Sequence, residues 1–269
     1  LAEALAIERL TAADLPGMLP LSAEAGWNQT AADWRIFLEQ GRVFGIRSDA
    51  RLAATAAILP YGRFAWISMV LVTAAARKQG LGTLLLRHCI AELQHENRIP
   101  YLDATPAGEK VYLPLGFRPV FGITRWQGRG DGQGGFAPPV DLDFLLPLDT
   151  HSFGAKREPM LRSFLARQPS LAIHHGTAFV VARDGRLATQ IGPLSAPDEA
   201  MAFALLKAAL DRVDGPVFLD VPDRWTQLGN ELQQRGFTIQ RGFRRMALDT
   251  SVANGNPDQS FVLAGPEFG

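Results

Sequence analysis

Arg77-Lys78-Gln79-Gly80-Leu81-Gly82-Thr83 is the stretch whose reading decides the fold. It follows an apolar run, Trp66-Ile67-Ser68-Met69-Val70-Leu71-Val72, whose length and β-branched content predict a buried strand. It precedes Leu84-Leu85-Leu86-Arg87-His88-Cys89-Ile90-Ala91-Glu92-Leu93, which reads as an amphipathic helix. A basic, glycine-bearing loop between a strand and a helix predicts an anion site. Free backbone N–H groups and the positive end of the helix dipole are both presented there. Gly80 and Gly82 let the backbone approach a ligand without interference from Cβ, and Arg77 and Lys78 add positive charge. The spacing matches neither G-x-x-x-x-G-K-[ST] nor G-x-G-x-x-G, the two commoner phosphate loops. The pattern present is Arg77-x-x-Gly80-x-Gly82. An ordinary strand-to-helix turn with a capping role fits the same residues.

Two further segments bear on this reading. Tyr101-Leu102-Asp103-Ala104-Thr105 reads as a short strand. Glu109-Lys110-Val111-Tyr112-Leu113-Pro114-Leu115-Gly116-Phe117 then reads as a helix closed by a glycine at positive φ. On its own Tyr112 reads as a half-buried aromatic that packs its ring in the core and exposes its hydroxyl. Upstream, Ala25-Gly26-Trp27-Asn28-Gln29-Thr30-Ala31-Ala32-Asp33-Trp34 carries a helix entry. Thr30 is its N-cap, Asp33 sits at N3, and Trp34, Phe37 and Leu38 face the core. Trp27 and Asn28 precede that entry and have no structural role assigned by it.

With these residues in view, the chain resembles the GCN5-related N-acetyltransferases, and within them a bacterial tandem subgroup with a degenerate second copy. The resemblance implies an α/β (α+β) fold of two tandem domains, each a mixed, mostly antiparallel sheet flanked by helices. It implies acetyl-CoA as co-substrate and no metal. Arg77, Lys78, Gln79, Gly80, Leu81, Gly82 and Thr83 would hold the pyrophosphate, and the strand Met69, Val70, Leu71, Val72 would pair with the pantetheine arm. A backbone N–H near Val70 or Leu71 would polarise the thioester carbonyl. The Tyr112 hydroxyl would face the CoA sulfur and act as the catalytic proton donor. Trp27 and Asn28 would bind the acceptor. Glu24, Asp33 and Asp103 are acidic, but each reads equally as a cap or a solvated charge, so the general base is left open.

Composition narrows the classes. The chain has 269 residues, 47% hydrophobic and 20% charged, with zero formal net charge. That length accommodates one large domain or two ordinary ones. The charge balance gives no nucleic-acid or membrane-surface footprint. No apolar run reaches transmembrane length and no signal-peptide pattern stands at the start, which fits a cytoplasmic protein. Cys89 is the single cysteine, which excludes an intrachain disulfide. The five histidines form no metal-ligand spacing; His174 and His175 are adjacent, so on a strand they point to opposite faces.

The second half repeats the first in outline. Gly128-Arg129-Gly130-Asp131-Gly132-Gln133-Gly134-Gly135 and Pro138-Pro139 predict a loop. Residues 140–149 then lead to a helix at 158–166, strands at 171–174, 178–182 and 188–194, and a hairpin turn at Asp184-Gly185. A helix over 198–213 with an Asp cap, a strand at 217–221, a helix ending at Arg235-Gly236-Phe237 and a strand at 243–248 follow. Phe261-Val262-Leu263-Ala264 closes the pattern. Leu115-Gly116-Phe117 and Arg235-Gly236-Phe237 echo each other, which places the boundary near 145, giving domains 1–145 and 146–269. Phe153-Gly154, Arg157, Ile191-Gly192-Pro193-Leu194 and Arg245-Met246 carry the resemblance of the second copy.

That copy departs from the pattern where phosphate would bind. Ser195-Ala196-Pro197-Asp198-Glu199 replaces the glycine loop, and Leu232 stands in the place of Tyr112. Pro197 has no N–H, and Asp198 and Glu199 place negative charge at the helix start. The expectation is a first domain that binds acetyl-CoA and a second that does not. The acceptor is expected to be the amine of a small molecule or peptide, with no nucleic acid or membrane partner and a homodimer left open. The competing readings are a non-catalytic acyl-CoA sensor or interaction module, and a nucleotide-binding protein of another α/β type.

Overall fold

A computed structural model describes residues 6–135 and 138–269. They form two compact units, Leu1–Tyr101 and Leu102–Gly269. The first contains β1 (Ile7–Leu10), α1 (Leu15–Glu24), α2 (Ala31–Gln40), β2 (Arg42–Ser48), β3 (Arg51–Tyr61), β4 (Phe64–Val72), α3 (Leu81–His95) and the start of β5 (Ile99–Ala104). Its strands lie in chain order. The β1–β2, β2–β3 and β3–β4 pairs are antiparallel, and β4–β5 is parallel. A parallel pair needs a long crossover, which α3 supplies. The helix buries Leu81, Leu85, Leu86, Cys89, Ile90 and Leu93, a single stripe at helical spacing. Each buried leucine contributes about 1.5–3 kcal/mol. Burial pushes the Cys89 thiol up to about 12, so it packs as a small apolar residue. At the start of α2 the Asp33 carboxylate accepts from Thr30 N–H at 2.7 Å, and Trp34 and Phe37 are fully buried, as the capping pattern predicts.

The second unit continues β5 and adds α4 (Pro106–Tyr112), β6 (Phe117–Asp131), α5 (Leu142–Phe153), α6 (Glu158–Arg167), β7 (Ile173–His175) and β8 (Ala178–Arg183). Then come β9 (Thr189–Ser195), α7 (Glu199–Arg212), β10 (Asp214–Pro222), α8 (Thr226–Gln234), β11 (Thr238–Leu248) and β12 (Ser260–Val262). The strand order is β11-β6-β10-β9-β8-β7, with β12 on β9; among these pairs of described residues β9–β10 is parallel and the others are antiparallel. Both units are therefore mixed, mostly antiparallel sheets with flanking helices.

Two local expectations are corrected and a third is refined. Gly128, Arg129, Gly130 and Asp131 are not loop but the end of β6, paired with residues 214–217 of β10. The glycines are there for close packing: a Cβ on Gly128 would lie 2.5 Å from the Phe237 ring, and one on Gly130 would lie 2.2 Å from the Val213 carbonyl. Residues 142–153 form a helix, α5, although Pro147 interrupts its pattern. Asp184-Gly185 does lie in the hairpin connection between antiparallel β8 and β9, but that connection is longer than the pair, running over residues 184–188.

Residue 145, the expected seam, falls within α5. The compact division comes earlier. β6 precedes that seam yet pairs along one edge with β10 and along the other with β11.

The second unit also buries several arginine–carboxylate pairs. Arg125 grips Asp220 at 2.8 and 2.7 Å, Arg157 grips Asp149 at 2.9 and 2.9 Å, and Arg183 pairs with Glu267. Arg245 holds Asp103 at 2.9 and 2.9 Å. Such pairs persist only where geometry and further hydrogen bonds offset desolvation. Gln190 Nε2 donates to Asp220 at 2.9 Å, and Arg157 Nη1 donates to the Gly269 carbonyl at 2.8 Å.

Candidate functional site

In the first unit the parallel ladder between β4 and β5 runs over Phe64↔Ile99, Ala65↔Pro100 and Trp66↔Tyr101, then stops. Among the described residues, Ile67 and the rest of β4 pair only with β3. That pairing skips: Ala57 faces Ser68 and Thr55 faces Leu71, so Met69 and Val70 together oppose Ala56. This is a β-bulge, the device that re-aims a strand's polar groups. Met69 sits at φ 53°. A non-glycine residue there costs on the order of 1–3 kcal/mol and persists when its surroundings hold it. The holder is Thr55, fully buried, whose Oγ1 donates to the Met69 carbonyl at 2.9 Å. Sequence reading missed Thr55, because a lone threonine in an alanine-rich strand gives no signal.

Beyond β4, the loop reaches α3 through Lys78 at φ 63° and Gly80 at φ 80°. Gly80 is the N-cap and brings no side chain to cap the helix. Among the described residues, the N–H groups of Gln79, Gly80, Leu81, Gly82 and Thr83 meet no protein acceptor. Unsatisfied N–H donors at a helix start are groups that an anion can use. A Cβ on Gly80 would meet nothing within 4 Å, and one on Gly82 would lie 3.5 Å from Val72 and 3.7 Å from Val70. Gly82 therefore sits over the half-buried face of β4. Arg77 also braces the loop: its Nε donates to the Val72 carbonyl at 3.2 Å and its guanidinium lies 3.5 Å from Glu24. Glu24 also accepts from the Ala74 N–H. Lys78 is exposed and supplies the loop's second cation. Gln79 donates its side-chain amide to the Ala75 carbonyl at 3.4 Å.

The segment between α1 and α2 divides by burial. Trp27 is half-buried and donates its N–H to the Ser22 carbonyl at 2.9 Å. Asn28 is enclosed at 1% exposure. Of the acidic candidates, Asp33 serves the α2 cap, Glu24 the loop, and Asp103 its bidentate pair with Arg245.

Tyr112 belongs to the second unit, where it ends α4. Its ring packs back over Gly108, where a Cβ would lie 3.0 Å away, and stands 6.0 Å from the Phe117 ring. Among the described residues its hydroxyl has no hydrogen-bond partner. Burial pushes the phenol above its ordinary value. It therefore stays protonated at neutral pH, as a donor must. Gly116 adopts φ 96°, as the sequence predicts, closing a short 3₁₀ turn, Leu113–Leu115, that follows α4.

The second copy lacks the open helix start and the tyrosine. The start of α7 is closed by the Asp198 side chain, which accepts from the Met201 N–H at 2.8 Å. Leu232, at the position of Tyr112, is fully buried. The residues that carried the second copy's resemblance have structural reasons. Gly154 leaves no room for a Cβ beside Gly255, at 2.5 Å, and Arg157 stacks 3.9 Å from the Phe153 ring.

Comparison with known proteins places the chain. Residues 8–117 match the model of the Acetyltransferase (GNAT) family, and residues 145–261 match that of an Acetyltransferase (GNAT) domain. The uncharacterized N-acetyltransferase YitH of Bacillus subtilis (strain 168) is 23% identical over 242 residues, spanning 82% of this chain and 83% of that protein. A putative acetyltransferase from Pyrococcus horikoshii superposes with a TM-score of 0.83 at 17% identity, covering 99% of this chain and 97% of its own. A tandem GNAT protein from the clavulanic acid biosynthesis pathway gives 0.62 at 15% identity, over 91% and 98% of the two chains. The family models, together with the bulged strand and the open helix start, show that the chain belongs to the GNAT N-acetyltransferase family and carries two of its domains in tandem.

Proposed function

We propose that this protein transfers the acetyl group of acetyl-CoA to an amine of a small molecule or peptide, directly and with both substrates bound. We place the activity in the cytoplasm. The observation that carries the reading is the row of unsatisfied N–H groups from Gln79 to Thr83 beside the bulged strand β4. Those groups receive the pyrophosphate, and Lys78 adds charge there. The edge of β4 from Met69 to Val72 offers backbone partners to the pantetheine amides. An N–H at the bulge polarises the thioester carbonyl, the kind of stabilisation that is often the largest contribution to acyl transfer.

The amine nitrogen bonds to the carbonyl carbon as the C–S bond breaks. Tyr112 gives its proton to the departing sulfur, directly or through water, and the amine's proton leaves to solvent. Help of this kind is typically worth about 10²–10⁴-fold. Trp27 forms a wall of the acceptor pocket, and Asn28 steadies the same segment from within.

Calorimetric titration with acetyl-CoA, followed by a screen of amines read by thiol release, tests the reading. One equivalent bound and thiol release with at least one amine is the expected result. Binding without transfer to any amine would leave an acyl-CoA sensor. No binding would remove the assignment.

A further inference from the structure

The second unit repeats the bulged geometry of β4, and its own chain fills the resulting opening. The parallel ladder of β9 and β10 covers Thr189↔Val217, Gln190↔Phe218 and Ile191↔Leu219, then stops. Next comes a bulge: Val180 faces Leu194 and Ala182 faces Ile191, so Gly192 and Pro193 together oppose Val181. The first unit has the same sequence of events, a three-pair ladder ending shortly before Met69-Val70.

Past the bulge, residues 259–263 bond to both strands. On one side Ser260 and Val262 pair with Ser195 and Leu194, and the Gln259 carbonyl accepts from the Ala196 N–H at 3.1 Å. On the other, the Leu263 N–H donates to the Asp220 carbonyl of β10 at 2.9 Å. Phe261 stacks on Trp225 with centroids 4.1 Å apart, and Trp225 Nε1 donates to the Ser260 carbonyl at 2.7 Å. Phe261, Val262, Leu263 and Ala264 are all buried. Gly192 makes the space: a Cβ there would lie 2.0 Å from the Leu263 carbonyl oxygen.

We propose that the second unit is a strand-binding module: the groove between β9 and β10 binds an extended peptide, and its ligand is residues 259–264 of the same chain. The comparison with a pantetheine groove rests on the function proposed above; the strand groove itself does not. Two parting strands expose N–H and C=O groups that cost about 1–3 kcal/mol each if buried unpaired. Any extended chain of amides satisfies them. Pantetheine offers two amides, whereas a peptide offers one per residue and hydrophobic side chains besides. Tethering adds a high effective concentration, of millimolar order for short flexible linkers. The module therefore takes no acyl-CoA, and the full chain has one acyl-CoA site.

The test uses the full chain with a protease site inserted between Ser251 and Val252, an exposed stretch where Val252 is 68% accessible. After cleavage the released segment is expected to stay bound through gel filtration and native mass spectrometry. A fluorescent synthetic peptide of residues 257–269 is expected to exchange in. Leu263→Pro, which removes the N–H given to Asp220, should weaken retention at least about tenfold, or about 1.4 kcal/mol. Departure of the segment with no change in the unfolding midpoint would overturn the proposal. So would equal retention of the Leu263→Pro segment, or two equivalents of acetyl-CoA bound by the intact chain. If the intact chain binds no acetyl-CoA, the function proposed above fails, and segment retention still decides the strand groove.

Discussion

Arg245 and Asp103 lie 142 residues apart in sequence, and they meet in a buried bidentate pair with both hydrogen bonds at 2.9 Å. Asp103 lies next to the end of the strand that precedes Tyr112's helix, and Arg245 sits on the last long strand, β11. The pair ties the support of α4 to β11, and the Arg245 guanidinium also lies 4.9 Å from the Phe121 ring. Asp103 is thus held for structure and is not free to act as a base. Asp103→Ala should destabilise the chain by about 3–5 kcal/mol, because it strands a buried guanidinium. Asp103→Leu combined with Arg245→Met should cost clearly less than either change alone. Urea unfolding of the four species closes the cycle. An additive result would mean that the pair is not coupled.

Gly82 separates shape from charge. Its added Cβ would make only ordinary contacts, at 3.5 and 3.7 Å, with Val72 and Val70. Gly82→Ala should therefore fold normally and lose little acetyl-CoA affinity. Gly82→Glu should fold as well, yet lose binding about 100-fold or more, since it sets a carboxylate among the N–H donors. Calorimetry with far-UV circular dichroism as the folding control checks both. Normal binding by the Glu variant would move the phosphate elsewhere.

Tyr112→Phe should lower kcat by about 10²-fold or more and leave acetyl-CoA affinity within about twofold. The pH dependence follows from burial. An ordinary tyrosine titrates near about 10, and this one lies higher. Activity that needs the protonated phenol is therefore retained up to that pH and falls only above it. Between about pH 7 and 9 the wild-type profile should show no alkaline limb from this residue. A limb in that range that disappears in the Phe variant would show the phenol to be lowered instead of raised.

Thr55 fixes the bulge from behind. Thr55→Val keeps the shape of the side chain and removes the donor to the Met69 carbonyl. The expected result is a fall in kcat of about tenfold, near 1.4 kcal/mol, with CoA affinity unchanged and Thr55→Ser restoring most of the rate. Bound [1-¹³C]acetyl-CoA should show a smaller carbonyl shift in the Val variant than in the wild type. An unchanged shift would dissociate Thr55 from the aim of the carbonyl donor.

The parts legible in the sequence were those governed by neighbours in the chain. The order strand, glycine loop, helix around Arg77-x-x-Gly80-x-Gly82 came through, as did the Thr30/Asp33 and Asp198 caps and the positive φ of Gly116, because each depends on a few adjacent residues. Features set by distant partners did not come through. Gly128 and Gly130 look like loop residues until Phe237 and Val213 are seen against them. The Asp149–Arg157 and Asp220–Arg125 pairs look like solvated charges in a list of residues. The contacts of Arg77 with Glu24 and the Val72 carbonyl, which brace the loop, have no signal in the sequence either.

The placement of β6 makes the duplication hard to undo. A gene cut at residue 145 would yield a first piece ending soon after a long strand that has lost the partners on both of its edges, β10 and β11. The second piece would hold those two strands with nothing between them. Unpaired strands of that length invite pairing with other copies. The two pieces are therefore expected to be recovered as aggregates when made separately and as a soluble complex when made together.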